Sequence, residues 1–456
     1  MQSHFSHSKI NSMIAGNRRL WWSILAGALL LHSPIFAQEE SSGFWPQWRG
    51  PLSTGAAVSG NPPVNFSETQ NLKWKIAIPG KGHATPVVWG DNIIVQTAVD
   101  TNEKSGLKKD SEGQNQGPMA ANQTVNVHEF RVILVDRNTG KIQWQTTVAR
   151  EVPLEGTHEL GSWASNSPCT DGEFIYAYFG SRGIHCLDFK GNIIWQKDFG
   201  QLEKHMSFGE GETPFLYKDR LFILWDHNGE SFIVALDSKT GKEIWRKDRD
   251  EGTSWSTPLV VEVDGRAQVV TSATNQVRSY DYETGEIIWT STGMTRNVIP
   301  NPVYADGILY VMSGFRGSAL QAIDIAKAKG DITGTPAILY TYNQDTPYTP
   351  NPLLMDGRLY FLRVNNGFLT CLDAKTGEVA YAKEKLEGIN TLFSSPTGVH
   401  NRIYIAAKNT VLVLKAGAKL ETLATNTLDD DFHASPVVVG NELILRGFNS
   451  LYCFSE

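Results

Sequence analysis

The sequence predicts an all-β protein, an eight-bladed β-propeller of four-stranded antiparallel blades whose ring is closed by an N-terminal strand. Eight pairs of a small polar residue and a proline, each followed by hydrophobic β-formers, recur mostly about 44 residues apart, and each interval holds about four short apolar runs. Units this short cannot bury a core alone, so they must pack against their neighbours. The repeated pairs are Thr85-Pro86, Ser167-Pro168, Thr213-Pro214, Thr257-Pro258, Asn301-Pro302, Asn351-Pro352, Ser395-Pro396 and Ser435-Pro436.

The third repeat shows the strand pattern most clearly. Pro214 begins a short apolar run, and residues 221–225, 232–237 and 242–245 supply three more. Gly, Asp and Asn separate these runs, which is typical of an antiparallel meander with tight turns. Meanders arranged in a ring form a propeller, in which only short and protected strand edges remain.

A second motif, Asp-x-x-Thr-Gly, recurs between the third and fourth strands, as in residues 237–241. Gly supplies the positive φ angle that such a turn needs, and Asp accepts hydrogen bonds from the amides that follow it. An aromatic residue stands four positions after the Gly in most copies, and we expect it to lie against the neighbouring blade and lock the two together. The docking residues predicted in this way are Trp144, Trp195, Trp245, Trp289 and Tyr381, and Trp74 in the strand at residues 72–78 is predicted to dock in the same manner.

Closure of the ring depends on the two ends of the chain. The last repeat, from Pro436 to Glu456, has room for three strands only. Residues 72–78 carry a docking tryptophan, Trp74, but have no preceding strands of their own. We therefore expect this N-terminal strand to complete the last blade, which gives eight blades; seven blades are the fallback.

The run from Ala235 to Trp245, with Asp237, Thr240 and Gly241 at fixed positions, resembles the tryptophan-docking repeat of the pyrroloquinoline-quinone (PQQ) type propellers. That family includes quinoprotein alcohol dehydrogenases and the propeller component of the bacterial outer-membrane assembly machinery. The resemblance extends over residues 71–456 and weakens in the fifth and seventh repeats. The leader Phe44-Trp-Pro-Gln-Trp-Arg-Gly-Pro51 looks like one found in secreted propeller proteins of Planctomycetes-like bacteria.

The N-terminal residues 1–37 have the pattern of a signal peptide. A basic edge at Arg18 and Arg19 precedes an apolar run over residues 20–31, and Ala37 offers a small residue for cleavage. The run is short for a membrane span. We therefore expect an exported protein, periplasmic or secreted, with no stable span after cleavage; an uncleaved anchor is the alternative. Residues 38–70 form an aromatic leader, and the propeller occupies residues 71–456.

Residues 100–127 interrupt the repeat within the first blade. They are rich in Lys, Glu, Ser, Gly, Gln and Asn, which predicts a flexible, solvated insertion. The alternative is a lid or a flap that binds a partner. The 456-residue chain has a formal net charge of −7 at pH 7, which argues against non-specific nucleic-acid binding. We expect a monomer whose partner is a protein or a cell-envelope polymer.

The cysteines occupy structural positions in the pattern. Cys186 and Cys371 fall in one repeat slot where Ala or Ser stands in other repeats, and Cys453 falls there in the last repeat. A slot that accepts Ala, Ser and Cys needs a small side chain between packed sheets. We expect buried thiols, with a disulfide as the alternative. No Cys-x-x-Cys pair occurs, so the pattern predicts no metal site of that kind.

The channel mouth is the place where the sequence predicts a ligand site. Loops that enter the first strand of each blade share one face with loops between the second and third strands. The residues three before the prolines should therefore surround the mouth: His83, Ser165, Gly211, Trp255, Ile299, Thr349, Phe393 and His433. Arginines on this face suit a carboxylate or phosphate, and a solvated rim is the alternative. The candidate ligand-binding residues are His83, Trp255, His433, Arg182, Asp226, His227, Arg316 and Arg446.

Three classes of function remain open. Since no Gly-x-Ser-x-Gly, His-Glu-x-x-His or phosphate-binding loop occurs, we expect a non-catalytic binding or scaffold propeller with no cofactor. The resemblance implies the alternative, a dehydrogenase dependent on PQQ and calcium, in which Trp255 would form the floor beneath the quinone. Such enzymes typically carry a disulfide of adjacent cysteines, which this chain lacks. A lyase or hydrolase acting on polysaccharide is the third class.

Overall fold

Eight antiparallel sheets are arranged in a ring, so the predicted eight-bladed β-propeller is confirmed. The computed structural model describes residues 43–105, 122 and 124–456. The predicted signal peptide and most of the predicted insertion lie outside these residues. The helices in the described part are three-residue 3₁₀ turns at Gly180–Arg182, His205–Ser207 and Ile325–Lys327, and none of these is long and apolar enough to cross a membrane.

The first half of the ring follows the predicted meander. Two strands precede it, β1 (Phe44–Trp45) and β2 (Leu72–Ala77). The first four blades then contain β3 (Val87–Trp89), β4 (Asn92–Lys104), β5 (Asn126–Asp136) and β6 (Ile142–Glu151); β7 (Cys169–Thr170), β8 (Phe174–Tyr178), β9 (Ile184–Asp188) and β10 (Ile193–Lys197); β11 (Phe215–Tyr217), β12 (Arg220–Trp225), β13 (Ser231–Asp237) and β14 (Glu243–Arg249); and β15 (Leu259–Val263), β16 (Arg266–Thr271), β17 (Val277–Asp281) and β18 (Ile287–Ser291).

The second half is less regular. Its four blades contain β19 (Val303–Ala305), β20 (Ile308–Ser313), β21 (Ala319–Asp324), β22 (Gly330–Asp331) and β23 (Ile338–Thr341); β24 (Leu353–Met355), β25 (Arg358–Leu362), β26 (Phe368–Asp373) and β27 (Val379–Lys385); β28 (Thr397–Val399), β29 (Arg402–Lys415) and β30 (Thr422–Phe432); and β31 (Val437–Val439), β32 (Glu442–Arg446) and β33 (Ser450–Phe454). β22 adds to the outer edge of the fourth blade. In the seventh blade β29 supplies both middle positions, because β28 pairs with its first half and β30 pairs mainly with its second.

An N-terminal strand closes the ring. β2 pairs antiparallel with β33, and Trp74 stands opposite Cys453. Blade eight therefore consists of β31, β32, β33 and β2, in order from the channel outwards. The seven-blade fallback is excluded. The first blade differs from the expectation in one respect: β4 continues to Lys104 and β5 begins at Asn126, so paired strands extend into both ends of the predicted insertion.

Tryptophans join adjacent blades through a repeated contact. The indole Nε1 atoms of Trp74, Trp144, Trp195 and Trp245 donate hydrogen bonds of 2.8–2.9 Å to backbone carbonyls in the Asp-x-x-Thr-Gly turn of the next blade, or in its counterpart. Each indole also lies on the Gly of that turn. Tyr381 is buried between the sixth and seventh blades. In the fifth blade Tyr340 takes this role, lying on Gly377 and donating to the Ala374 carbonyl.

Trp289 packs differently from the expectation. It is fully buried against fifth-blade residues, but its Nε1 donates to Gln268 Oε1 within its own blade. The reason is the turn that it faces. The fifth blade has a 3₁₀ turn at Ile325–Lys327 in place of Asp-x-x-Thr-Gly, so no glycine surface or turn carbonyl is presented to the indole.

The residues before the prolines form a chain of hydrogen bonds around the channel. The backbone amide of Thr85 donates to Ser167 Oγ, that of Ser167 donates to Thr213 Oγ1, and the pattern continues from blade to blade. The chain returns to its start where the Ser435 amide donates to Thr85 Oγ1. The remaining links join Thr257 to Asn301, Asn301 to Asn351, Asn351 to Ser395 and Ser395 to Ser435. The link from Thr213 to Thr257 is missing among the described residues.

Residues 44–55 of the aromatic leader lie inside the ring. β1 pairs with the innermost strand of the first blade, β3, and the Pro46 carbonyl accepts the Thr170 amide of the second blade. The carbonyls of Thr54 and Gly55 accept hydrogen bonds from backbone amides in the inner strands of blades six and seven. The leader therefore fills the central channel from within, which the sequence did not indicate.

Candidate functional site

One cavity occupies the channel mouth on the face predicted from the repeat. Its volume is about 320 Å³. All eight residues that stand three positions before the prolines line it, including His83, Trp255 and His433. The loops that enter the first strand of each blade meet there because the innermost strand of every blade lines the channel and begins at the same face. Trp48 of the leader also lines the cavity, so the plugged channel gives it a floor.

The wall of the cavity is mainly aromatic. Phe315 and Tyr348 stack with ring centroids 4.8 Å apart, and Phe393 lies 4.8 Å from His433. The Trp255 indole is held by a 2.8 Å hydrogen bond from its Nε1 to the Gly209 carbonyl. Aromatic rings fixed in this way offer a rigid apolar surface that binds a partner at low entropic cost.

The histidines of the wall are held in contact with other rings. His83 lies 5.0 Å from His433 and 4.6 Å from Phe448, measured between ring centroids. Burial, with His433 and Arg446 nearby, lowers the pKa of His83 to about 3. Burial also lowers the pKa of His433, whose Nδ1–H donates to the Leu160 carbonyl. Both imidazoles are therefore neutral at pH 7.

One carboxylate, Glu210, lines the cavity, and it is already bound. It accepts hydrogen bonds from the amide and hydroxyl of Ser181, and Arg182 Nη1 lies 3.5 Å from it. Among the described residues that line the cavity there is no Lys or Arg. The described part of the lining therefore presents apolar rings, hydroxyls and the neutral imidazoles of His83 and His433, and its one acid is already paired.

Buried charges support the wall from behind. The ammonium of Lys204 contacts Glu212 and donates to the Asp226 carbonyl. Burial lowers the pKa of Lys204 to about 8 and raises that of Glu155, near Glu210, to about 8. These groups fix the loop that carries Phe208 and Gly209, since Lys204 and Glu212 are both at most 3% exposed.

The other predicted ligand residues do not line the mouth cavity. Asp226 is fully buried and paired with Arg249, and the His227 ring is bonded to the backbone of Glu203 and Glu230. Arg182 pairs with Glu151 at 2.8 Å. A ligand role for any of them stays a prediction, and the geometry favours His83, Trp255 and His433.

The two remaining arginines also lie outside the mouth cavity. Arg446 is buried beside the wall and donates to the Ser450 carbonyl. Arg316 is exposed and lines a neighbouring cavity with Thr274, Met294 and Arg296. The expected group of arginines above the channel is therefore not formed around this cavity.

The predicted insertion reaches the site at one described residue. The Asn122 side chain donates to Thr157 Oγ1 at 3.1 Å and to the His158 carbonyl at 2.8 Å. His158 itself lines the cavity. The role of the insertion as a lid or flap stays a prediction, because residues 106–121 and 123 lie outside the described part of the chain.

Sequence reasoning missed several residues of the wall. Phe208, Phe315 and Tyr348 lie in loops of irregular length, so the repeat gives no fixed position for them. Trp48 could have been suspected from the aromatic leader, because two tryptophans that directly flank Pro46–Gln47 need a place where they can be buried. Trp45 is in fact fully buried.

The chemistry of the described lining does not match the charge of PQQ. PQQ carries three carboxylates, which need cations, and the lining described above supplies none. The cysteines are free and buried in strands or strand ends, with no pair adjacent in sequence. Nor do three or more His, Cys, Asp or Glu side chains come together as a metal-binding group in the part of the chain that the structure describes.

Fold and site together define a class of protein: an eight-bladed propeller with tryptophan-docked blades, a plugged channel and an aromatic cavity at its mouth. A family model described as outer membrane protein assembly factor BamB matches residues 128–383 and, in a second match, residues 227–455. The chain belongs to this family of PQQ-type propellers.

Individual relatives match with low identity. Outer membrane protein assembly factor BamB of Shewanella oneidensis is 23% identical over 264 residues, which are 54% of this chain and 62% of that protein. The quinohemoprotein alcohol dehydrogenase of Comamonas testosteroni is 28% identical over 121 residues, 23% of this chain and 16% of the enzyme. The chain thus spans less than two thirds of the length of these curated relatives.

Solved structures share the fold. BamB from Moraxella catarrhalis superposes with a TM-score of 0.52 at 13% identity, covering 80% of this chain and 100% of that one. The quinohemoprotein alcohol dehydrogenase of Comamonas testosteroni gives a TM-score of 0.60 at 11% identity, covering 92% and 82%. A europium-containing methanol dehydrogenase gives 0.59 at 10% identity, covering 93% and 100%.

Proposed function

We propose that this chain is an exported, non-catalytic propeller that binds a protein or cell-envelope partner at the channel mouth. The observation that carries the proposal is the aromatic cavity, with Trp48 at its floor and Trp255 and Phe393 in its wall. A periplasmic or secreted location accords with the predicted signal peptide. It also accords with the relatives named for outer-membrane protein assembly.

The chemistry of the cavity favours an apolar or aromatic side chain as the inserted group. A concave site of about 320 Å³ with rigid aromatic walls removes most of the surface of such a group from water. Residues of this kind dominate the binding energy of protein interfaces when they fill a central pocket. Neutral imidazoles and hydroxyls at the rim, such as His433 and Ser165, then bind the polar backbone of the partner.

Site-specific photocrosslinking tests this proposal. A benzophenone amino acid at Thr349, on the cavity rim, should crosslink to a partner in envelope extract. The matched position is Lys239, whose side chain is 66% exposed in an Asp-x-x-Thr-Gly turn on the opposite face. We expect a discrete crosslinked product from position 349 that is lost when Phe393→Ala is added. Equal products from both positions would contradict the proposal.

The alternative is a dehydrogenase that uses PQQ and calcium. The fold of the quinohemoprotein dehydrogenase and the place of Trp255 in the cavity favour it; the lack of a cation in the lining opposes it. Reconstitution with PQQ and Ca²⁺, followed by absorbance spectra and dye-coupled alcohol oxidation, distinguishes the two. Failure to bind PQQ at micromolar concentration excludes the dehydrogenase hypothesis. Alcohol oxidation by the reconstituted protein excludes the non-catalytic scaffold hypothesis.

A further inference from the structure

A second, much smaller cavity lies deeper in the channel, on the far side of Trp48 from the mouth. Its volume is about 20 Å³, which is room for one water or one small ion. The leader supplies one side of it through Gln47, Arg49 and Ser53. The residues that lead into the inner strands of blades three, four and five supply the other side, among them Thr213 and Thr257.

Arg49, which lines this cavity, carries a buried positive charge without a counter-charge. It is 2% exposed, and one of its terminal nitrogens, Nη2, donates to the Pro352 and Pro396 carbonyls at 3.2 and 2.9 Å. Its Nε and Nη1 have no hydrogen-bond acceptor among the described residues. In the same described part of the chain, no Asp or Glu oxygen comes within 4.0 Å of the guanidinium. Burial lowers the pKa of Arg49 to about 9, so the group remains charged at pH 7.

A buried charge that lacks a partner is costly, and proteins rarely leave one uncompensated. Three N–H donors of Arg49 are unsatisfied, because a guanidinium has five and Nη2 carries two of them. A ligand that accepts hydrogen bonds and carries negative charge would relieve both costs together. A water molecule would accept hydrogen bonds from the N–H donors but would not neutralise the charge.

The break in the chain of hydrogen bonds around the channel lies at the same cavity. Seven links join the residues before the prolines, and the missing one runs from the Thr213 amide to Thr257 Oγ1. Thr257 Oγ1 is buried without a partner among the described residues, so its hydroxyl hydrogen is free to donate. Thr213, Thr257 and Arg49 all line this cavity, and their unsatisfied groups are an amide, a hydroxyl and three guanidinium N–H donors.

The rest of the lining is compatible with an anion. Gln47 Nε2 donates to Ser53 Oγ at 2.9 Å, which leaves the Ser53 hydroxyl hydrogen available. Apart from the Thr257 hydroxyl, Gln47 Oε1 is the one unpartnered side-chain oxygen of the lining in the described residues. Rotating that amide by half a turn exchanges its oxygen for an NH₂ donor.

We propose that this cavity is a binding site for a single chloride ion, which Arg49 and Thr257 hold and which joins the leader to blades three and four. The site is separate from the mouth cavity, and the proposal does not depend on the proposed function. Because the ion binds only the folded, plugged state, its binding stabilises the propeller by mass action.

The test uses purified protein and crystals soaked in sodium bromide, since bromide replaces chloride and scatters anomalously. We expect an anomalous peak within hydrogen-bond distance of Arg49 and Thr257 Oγ1. In solution, the midpoint of thermal unfolding should be about 3 °C higher in sodium chloride than in sodium gluconate at equal ionic strength, once chloride exceeds its dissociation constant about 100-fold. Gluconate is too large for a cavity of about 20 Å³.

Two variants and one control complete the experiment. Arg49→Met should abolish the difference between chloride and gluconate. Arg446→Met removes another buried arginine, which has Asp430 nearby, and should keep the difference. If Arg49→Met does not fold, Thr257→Val keeps the guanidinium and should still reduce the difference. A site that refines as water without a bromide peak overturns the proposal, and so does an equal chloride effect in Arg49→Met and the control.

Discussion

The indole of Trp74 lies on Gly140 of the next blade, and its Nε1 donates a 2.8 Å hydrogen bond to the Arg137 carbonyl. Trp74 belongs to the N-terminal strand that completes the eighth blade, and Gly140 belongs to the first blade. The contact therefore links the closing strand to the start of the ring. The same strand pairs with the last strand of the chain, so two independent interactions hold the closure.

Replacing Trp74 should weaken the closure of the ring. Trp74→Ala removes a buried indole and its hydrogen bond, and we expect the free energy of unfolding to fall by about 3–5 kcal/mol. Urea unfolding followed by tryptophan fluorescence and circular dichroism measures this change. Ile287→Ala serves as the control, because Ile287 is 55% exposed on an outer strand. Equal losses in both variants would show that the indole contact does not support the ring.

Gly140 is required both for its backbone conformation and for the space that it leaves to the Trp74 ring. One pair of variants separates these two requirements. Its φ is +71°, and a Cβ built on it would lie 2.7 Å from the Trp74 ring. Gly307 has a φ of +81° with open space around it. Gly307→Ala should cost about 1–2 kcal/mol from backbone strain alone. Gly140→Ala should cost about 1–3 kcal/mol more because the indole must shift. Thermal or urea unfolding of both variants gives the difference, and equal costs would exclude the steric part.

The hydrogen bonds around the channel predict that two substitutions differ in their cost to stability. Ser435→Ala leaves the buried Ser395 amide without its acceptor, which should cost about 1–3 kcal/mol. Thr257→Ala should cost less in sodium gluconate, because no amide among the described residues donates to Thr257 Oγ1. Denaturant unfolding of the two variants in the same buffer compares them. The reverse order would show that the chain of hydrogen bonds does not contribute to stability in this way.

The sequence predicted the fold closely because the fold is periodic. Eight prolines fixed the inner strands, and the incomplete last repeat together with the isolated Trp74 predicted the closure. The ring of mouth residues followed from the same period. The path of the leader could not be predicted, since Trp48 and Arg49 occur once and no repeat positions them. Trp289 shows the same limit, because its packing depends on an irregular turn in the following blade rather than on its own motif.

The pH dependence of stability should report on His83. Its pKa falls from 6.5 to about 3 on folding, so between these values the unfolded chain binds a proton that the folded chain does not. The contribution of His83 is therefore complete above pH 6.5 and is lost as the pH falls, with a slope below about 1.4 kcal/mol per pH unit. The lowered pKa of His433 acts in the same direction. Glu155, whose pKa is raised to about 8, acts in the opposite direction as the pH rises from 4.5.

The contributions of His83, His433 and Glu155 fall in overlapping pH ranges. The test therefore compares the pH dependence of variants rather than absolute stabilities. His83→Phe keeps a ring beside His433 and Phe448 but removes the titration, so its unfolding free energy should depend less steeply on pH between 7.5 and 4.5. His400→Gln removes an exposed histidine and should leave the wild-type slope unchanged. Urea unfolding at four pH values across this range measures the slopes. A His83→Phe slope equal to that of wild type would mean that His83 accepts its proton in the folded state, and the mouth cavity would then carry positive charge at mildly acidic pH.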